Sequence, residues 1–329
     1  MEMTKIPGLD KEISRVGLGT WAIGGWMWGG TDEEESVRTI RTALDKGVTL
    51  VDTAPVYGFG RSEEIVGRAI ADHGGRDRIA ISTKAGIEWD EDEATVRNST
   101  PERLQKEVED SLRRLRTDYI DVYHVHWPDP LVPFEETAAT LEKMREQGKI
   151  VAAAVSNYDP EQMDAFSKAT QLSVCQPPYN IFEREIEDDI LPYCKDNGIA
   201  LLVYGAICRG MLSGKMSEER EFKKGDLRNI DPKFQKPRFG QYLEAVDRLD
   251  RLVQERYGKR VIHLAVRWIL DREVNVALWG ARRPDQLEPV DSMFGWRLSQ
   301  EDMADIDRIL DETIDDPVGP EFMAPPARK

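Results

Sequence analysis

Eight short apolar segments recur along the chain, and a stretch with helical periodicity follows each of them in turn. They lie at residues 15–20, 49–53, 79–84, 119–127, 150–157, 172–176, 200–205 and 275–280. Most are rich in β-branched residues and lack polar alternation, the pattern of strands covered on both faces. The intervening segments read as amphipathic helices. In "DEEESVRTIRTALDKG", Val37, Ile40 and Leu44 share a face, acids occupy the first turn and Gly47 closes the run. In "TPERLQKEVEDSLRRL", Thr100 is placed to cap and Pro101 to occupy the first helical position.

Eight such units within 329 residues predict a (β/α)8 TIM barrel formed as a single domain over residues 1–329. A doubly wound open sheet is the alternative. "KIPGLDKEIS" ahead of the first strand predicts an N-terminal β-hairpin with a Pro-Gly turn that closes the bottom of the barrel. The polar stretch 213–241 predicts a long loop after strand seven, and connections of that length are usually functional or mobile.

Composition narrows the function. A net charge of -16 opposes nucleic-acid binding, although a local basic cluster can still hold a small anion. No run of about 18 apolar residues exists to span a membrane, and the charged start of the chain lacks a signal core, so a cytoplasmic protein is expected. Cys175, Cys194 and Cys208 are odd in number and show no C-x-x-C spacing, which argues against disulfides and cysteine-held zinc. Four histidines without an H-E-x-x-H pattern give a catalytic metal little support.

Chemistry in such barrels gathers at the C-terminal ends of the strands. Those ends carry Thr20-Trp21, Asp52 with Tyr57 in the following loop, Lys84, His126, Ser156-Asn157, Gln176, Tyr204, and Gly280 followed by Arg282-Arg283. Any one of these residues alone could cap a turn or pack; all eight ends together point to a site. Buried Asp and Lys need partners, and Asp52 and Lys84 sit on neighbouring strands. A lysine beside Tyr57 would lower the phenol toward neutrality and make it a proton donor, with Asp52 holding Lys84 and His126 orienting a substrate oxygen. A group that protonates a carbonyl oxygen needs a hydride source, which no side chain supplies, so a nicotinamide is implied. Ser156, Asn157 and Gln176 can bond its carboxamide, and Tyr204 can stack on its face.

With these residues in place the chain resembles the aldo-keto reductase superfamily. "VDTAPVYGFGRSEEIVG" is similar to the signature around the family's catalytic Asp and Tyr, "ISTKAG" to its Lys strand and "VHWPD" to its His strand. "AVSNY" resembles the carboxamide-binding strand end, and "LWGARRPDQLE" the cofactor-phosphate loop. "YGAICRGMLSGKM" and "DPVGPEFMAPP" are similar to a bacterial branch of general stress proteins and glyceraldehyde reductases. The resemblance implies that Tyr57, Asp52, Lys84 and His126 form a catalytic tetrad. It implies NADP(H) held by Thr20, Trp21, Asp52, Gln176, Tyr204, Gly205, Ala206, Ile207, Cys208, Arg209, Gly280, Ala281, Arg282 and Gln286, with Arg282 and Arg283 near the 2′-phosphate. It implies a small aldehyde or ketone as substrate. The family contains monomers and larger assemblies, so no oligomeric state follows. Two departures stand out. His124 shares the inward face with His126 and is expected deeper in the core, bonded to a neighbour. "EPVDS" lacks the Asn that many relatives use near the adenine.

Other signals carry less. "GLGTWA" matches a dinucleotide fingerprint, but "IGGWMWGG" follows where a helix is required. "GMLSGKM" lacks P-loop spacing, though Lys215 is expected to reach the cofactor pyrophosphate. Trp21, Trp26 and Trp28 either pack on the rim or wall the substrate. "WDEDEA" reads as a solvated loop. "GPEFMAPP" is expected to fold toward the barrel mouth. Two other functions remain: a cofactor-bound sensor with slow turnover, and a Schiff-base aldolase using Lys84.

Overall fold

The computed structural model describes residues 1–328. Eight parallel strands close into a barrel: β1 (Val16–Gly19), β2 (Leu50–Asp52), β3 (Ala80–Ala85), β4 (Ile120–Val125), β5 (Ile150–Ser156), β6 (Leu172–Gln176), β7 (Ala200–Val203) and β8 (Val276–Gly280). Neighbours follow chain order all the way round, and β8 pairs with β1 to complete the circle. The expected open-sheet alternative is thereby excluded.

Strand alternation sorts the interior into layers. Leu50, Ala80, Val122, Ala154, Val174, Leu202, Val276 and Leu278 point inward and form one apolar cluster. Ile6 and Ile13 join that cluster, with Leu9 packed against it. They belong to the N-terminal hairpin, in which Met3–Thr4 pairs antiparallel with Ile13–Ser14, so the hairpin stoppers the bottom of the barrel. One inward step toward the C-terminal ends, the same strands carry Asp52, Ser82, Lys84, His124, Ser156 and Gln176, all buried. The site is therefore the next layer of the core, displaced by two residues per strand.

Helices cover the outside of the barrel. Glu33–Asp45 is capped by the Asp32 carboxylate, which accepts from the Glu35 N–H, and Pro101–Leu115 begins with Pro101 as expected. Thr100 precedes that helix without a side-chain capping bond. One element differs from the sequence reading. "WDEDEA" forms the tip of a hairpin, Ile87–Trp89 with Thr95–Arg97, that rises from the mouth after β3. The long connection expected after β7 is present and carries short turns of its own. It runs through 3-10 turns at Cys208–Ser213, Leu227–Asn229 and Pro232–Phe234 into a helix, Arg238–Tyr257, that precedes the covering helix Val261–Leu270. Among the described residues, no helix is long and apolar enough to cross a membrane.

Candidate active site

Asp52 ends β2 and its carboxylate is buried. Oδ1 accepts from Lys84 Nζ at 2.7 Å, while Oδ2 accepts from the Ser82 hydroxyl at 2.7 Å and from Gln176 Nε2 at 2.9 Å. Lys84 Nζ also donates to the Thr53 carbonyl at 2.9 Å. Burial lowers the lysine pKa, and Asp52 only partly opposes this.

Tyr57 lies over the pair, with its ring centroid 5.2 Å from Lys84 Nζ. Its ring meets the His126 imidazole edge-on at 5.8 Å and stacks on Trp21 at 5.9 Å. The expectation that Lys84 lowers the phenol is overturned. Burial, followed by the charges of Asp52 and Tyr204, raises Tyr57 well above an ordinary phenol. A raised phenol is firmly protonated at neutral pH, as a proton donor must be.

The loop holding Tyr57 turns through Gly58 and Gly60, both with positive φ (71° and 98°). A Cβ on Gly58 would press into the Gly24 carbonyl, and one on Gly24 would press into the Tyr57 carbonyl. Backbone touches backbone there, between the loops after β1 and β2. Below them, the Thr20 hydroxyl donates to the Asp52 carbonyl at 2.9 Å and lies 2.8 Å from the Ser62 hydroxyl.

The two histidines divide as their depth suggests. His124 is fully buried, with Nε2 3.0 Å from the Ser82 hydroxyl and Nδ1 3.5 Å from the Val155 carbonyl. Burial and then Lys84 hold its pKa at about 3. His126 sits just past β4, half-buried at the mouth. Burial, Lys84 and His124 depress it well below the usual value, so it is a neutral imidazole.

A cleft of about 430 Å³ extends from Asp52 and Tyr57 to the far side of the mouth. Thr20, Trp21, Trp28, Tyr204, Gly205, Ala206, Ile207, Arg209, Lys215, Gly280, Ala281, Arg282 and Gln286 are among its walls. The indole N–H groups of Trp21 and Trp28 are buried there without partners. A Cβ on Gly280 would meet nothing within 4 Å, so its absence widens the cleft. Unpartnered donors, an open glycine wall and a basic far end suit an elongated, phosphorylated cofactor.

Several expected contacts lie elsewhere. Cys208 is turned into the core and is not a cleft wall; its sulfur accepts from Arg209 at 3.7 Å. Ser156, Asn157 and Gln176 lie beneath the cleft in a linked set. Ser156 donates to the Gln176 carbonyl at 2.7 Å, Asn157 Nδ2 donates to the Ser156 hydroxyl at 3.0 Å, and Asn157 Oδ1 accepts from Tyr204 at 2.8 Å. Arg282 donates to the Trp28 and Gly30 carbonyls and Arg283 pairs with Asp285 at 3.0 Å, and both line the far end of the cleft. Gln286 accepts from the Arg282 N–H at 2.7 Å and shapes that turn. Trp26 packs on Phe59 in a rim cluster and does not wall the cleft.

A second buried charge group escaped the sequence reading. Arg209 pairs with Glu183 and with Asp231, the latter at 2.5 Å, and Lys233 pairs with Glu183 at 2.8 Å. Burial pushes the Glu183 pKa up, but Arg209 and Lys233 hold it below the ordinary carboxylate value. Charges scattered over 183–233 give no spacing signal; Glu, Asp, Lys and Arg there read as solvated loop. Among the described residues no cluster of His, Cys, Asp and Glu suits a metal ion.

Two outcomes follow from this geometry. Gly58→Ala should displace Tyr57, because alanine carries both the positive-φ strain and the clash; steady-state turnover should fall by about tenfold or more. His124 is neutral when folded and takes a proton near pH 6.5 when unfolded. Its contribution to stability is complete above pH 6.5 and is lost as the pH falls toward 3, so urea melts of His124→Gln should show a shallower acid dependence.

The sequence matches the Aldo/keto reductase family over residues 15–311. It is 59% identical over 330 residues to "Aldo-keto reductase YhdN" of Bacillus subtilis, covering 100% of this chain and 99% of that one. It is 36% identical over 302 residues to the "NADH-specific methylglyoxal reductase" of Escherichia coli, covering 87% and 91%. The solved structure of the glycerol dehydrogenase AKR11B4 from Gluconobacter oxydans superposes with a TM-score of 0.89 at 51% identity, over 98% of this chain and 99% of that one. The holo form of AKR11C1 from Bacillus halodurans gives 0.76 at 25% identity, over 94% and 96%. The chain belongs to the aldo/keto reductase family and is an oxidoreductase of carbonyl compounds.

Proposed function

We propose that the protein reduces small aldehydes and ketones to alcohols with NADPH, reversibly, and that Tyr57 supplies the proton. The observation that carries this reading is the Tyr57 phenol seated over the buried Lys84–Asp52 pair and beside the His126 imidazole, at the inner end of the cleft. A bound nicotinamide supplies the hydride. Trp21, Tyr204, Gly205 through Ile207 and Gly280 through Arg282 would hold it along the cleft, with Asn157 bonded to the Tyr204 hydroxyl and Gln176 to Asp52.

The chain's own groups handle the proton. A carbonyl oxygen between Tyr57 and His126 accepts the phenolic proton, and neutral His126 offers an N–H that fixes the oxygen without competing as an acid. The phenolate left behind faces the Lys84 ammonium, and Asp52 keeps that ammonium charged despite its burial. In the reverse direction the phenolate accepts the alcohol proton. A Schiff-base role for Lys84 is disfavoured, because its donors are already bonded to Asp52 and Thr53.

Cofactor choice follows the charge at the far end, where Lys215, Arg220, Arg228, Arg260, Arg282 and Arg283 face Asp285 and Glu288. A 2′-phosphate there can exchange partners with the half-exposed Arg283–Asp285 pair. The NADH-specific relative makes this a point to measure.

Loss of reduced-cofactor absorbance with glyceraldehyde or methylglyoxal tests the reaction. Tyr57→Phe should lose at least about two orders of magnitude in turnover; equal activity in the two proteins would remove Tyr57 from its role. Arg283→Ala should weaken NADPH binding about tenfold, roughly 1.4 kcal/mol, and NADH binding hardly at all; equal losses for both, by fluorescence titration, would overturn the NADPH preference.

A further inference from the structure

Asp129 follows Trp127 and Pro128 in the loop that leaves β4, three residues beyond His126, and is 1% exposed. It accepts from the Ser99 N–H at 2.9 Å and the Leu131 N–H at 3.0 Å. Its one cationic partner among the described residues is Arg328, whose guanidinium donates to Oδ2 at 2.9 Å and also to the Asn98 side chain. A buried carboxylate left without a cation is costly. Removing Arg328 would therefore strand the Asp129 carboxylate.

Arg97 provides a second tie. Its Nε donates to the Pro325 carbonyl at 2.7 Å, its backbone N–H donates to the Pro326 carbonyl at 3.0 Å, and another guanidinium N–H donates to the Pro128 carbonyl at 3.0 Å. Arg97 and Ala327 form a parallel β-bridge. At the opposite side of the mouth, buried Lys233 donates to the Gly319 carbonyl at 2.9 Å. The segment 320–324 is thus tied at both ends. Between the ties, Met323 forms part of the cleft wall and the Phe322 ring lies 5.8 Å from the Arg209 guanidinium.

We propose that Arg328, locked onto buried Asp129 and assisted by Arg97, straps residues 320–324 across the mouth and so sets which carbonyl compounds the site accepts. Arg328 is a positioning residue that acts through Met323. With the strap fastened, the pocket favours short aldehydes and disfavours bulky ones. The substrate part of this inference rests on the carbonyl-reductase reading; the latch itself does not.

The full chain carrying Arg328→Ala, Arg328→Lys, or Arg328→Ala with Asp129→Asn would be compared with wild type. Hydrogen exchange at the Arg97 amide reads the latch without turnover, and kinetics with glyceraldehyde and with an aromatic aldehyde reads selectivity. In Arg328→Ala, Arg97 exchange should quicken at least about tenfold, and KM for glyceraldehyde should rise about five- to tenfold with kcat within about twofold. The preference for the short aldehyde should narrow, and Arg328→Lys should recover part of the loss. The double variant strands no buried charge, so it should fold normally and remain unlatched. Wild-type KM and selectivity in the double variant would overturn the proposal, since the single variant's defect would then be the stranded carboxylate alone. Unchanged Arg97 exchange in Arg328→Ala would overturn the latch. Full activity in Tyr57→Phe, with Arg97 exchange quickened as expected in Arg328→Ala, would leave the latch standing and remove only the carbonyl-reductase reading beneath the substrate claim.

Discussion

A carboxylate inside a protein must collect donors, and Asp52 collects them from two other strands. Lys84 and Ser82 come from β3, Gln176 from β6, and Asp52 itself ends β2. The Lys84 and Ser82 bonds need only the neighbouring strand, whereas the Gln176 bond does not exist until the barrel closes and brings β6 opposite β2. Taking the two charges out of water carries a penalty of several kcal/mol per ion, which their attraction offsets only with good geometry and full hydrogen bonding. The requirement runs outward from there. Burial and the Asp52 charge keep the proton on Tyr57, while burial and the Lys84 charge keep His124 neutral beside Ser82. The apolar layer directly below, sealed by Ile6 and Ile13, keeps water away from the pair on the side opposite the cleft.

The second buried charge group has a different task. Glu183 follows β6, Arg209 follows β7, and Asp231 and Lys233 lie in the long connection beyond it. Asn180 adds bonds to Glu183 and to the Gly205 carbonyl. Joining these segments fixes the wall formed by Gly205, Ala206, Ile207 and Arg209. The outer edge is closed from the other direction: the Leu227 N–H donates to the Met27 carbonyl, and Arg282 reaches the Trp28 and Gly30 carbonyls. The cleft is thus framed by loops that hold one another.

What the sequence makes legible is periodic or terminal. Barrel strands are visible because residues covered on both faces are apolar and β-branched, and Asp52, Lys84 and His126 stand out as polar interruptions at strand ends. The hairpin beneath the barrel is readable from Pro7-Gly8. The tail's path toward the mouth is also readable, from its prolines and the apolar Phe322 and Met323. Long-range polar partnerships are hidden. Arg328 and Asp129 are 199 positions apart, and Arg209 and Glu183 are 26 apart with no common element, so no spacing reveals either pair. The raised Tyr57 phenol is illegible because its largest cause is burial, which only the folded mouth reveals, with the Asp52 charge adding to it. Cys208 was misplaced because a turn in which Cys208, Arg209 and Gly210 all have positive φ does not present consecutive side chains to one side.

The contact between Gly24 and Gly58 joins the loops after β1 and β2 into one plate. Trp21 and Trp28 are carried on one half and Tyr57 on the other. Loops on a barrel are commonly treated as interchangeable parts, each free to lengthen or change while the scaffold stays. These two are not separable in that way. An insertion in the first shifts the proton donor in the second, so lineages or libraries that diversify the tryptophan loop must keep its glycine hinge, and substrate range is free to drift only through the loops outside this plate.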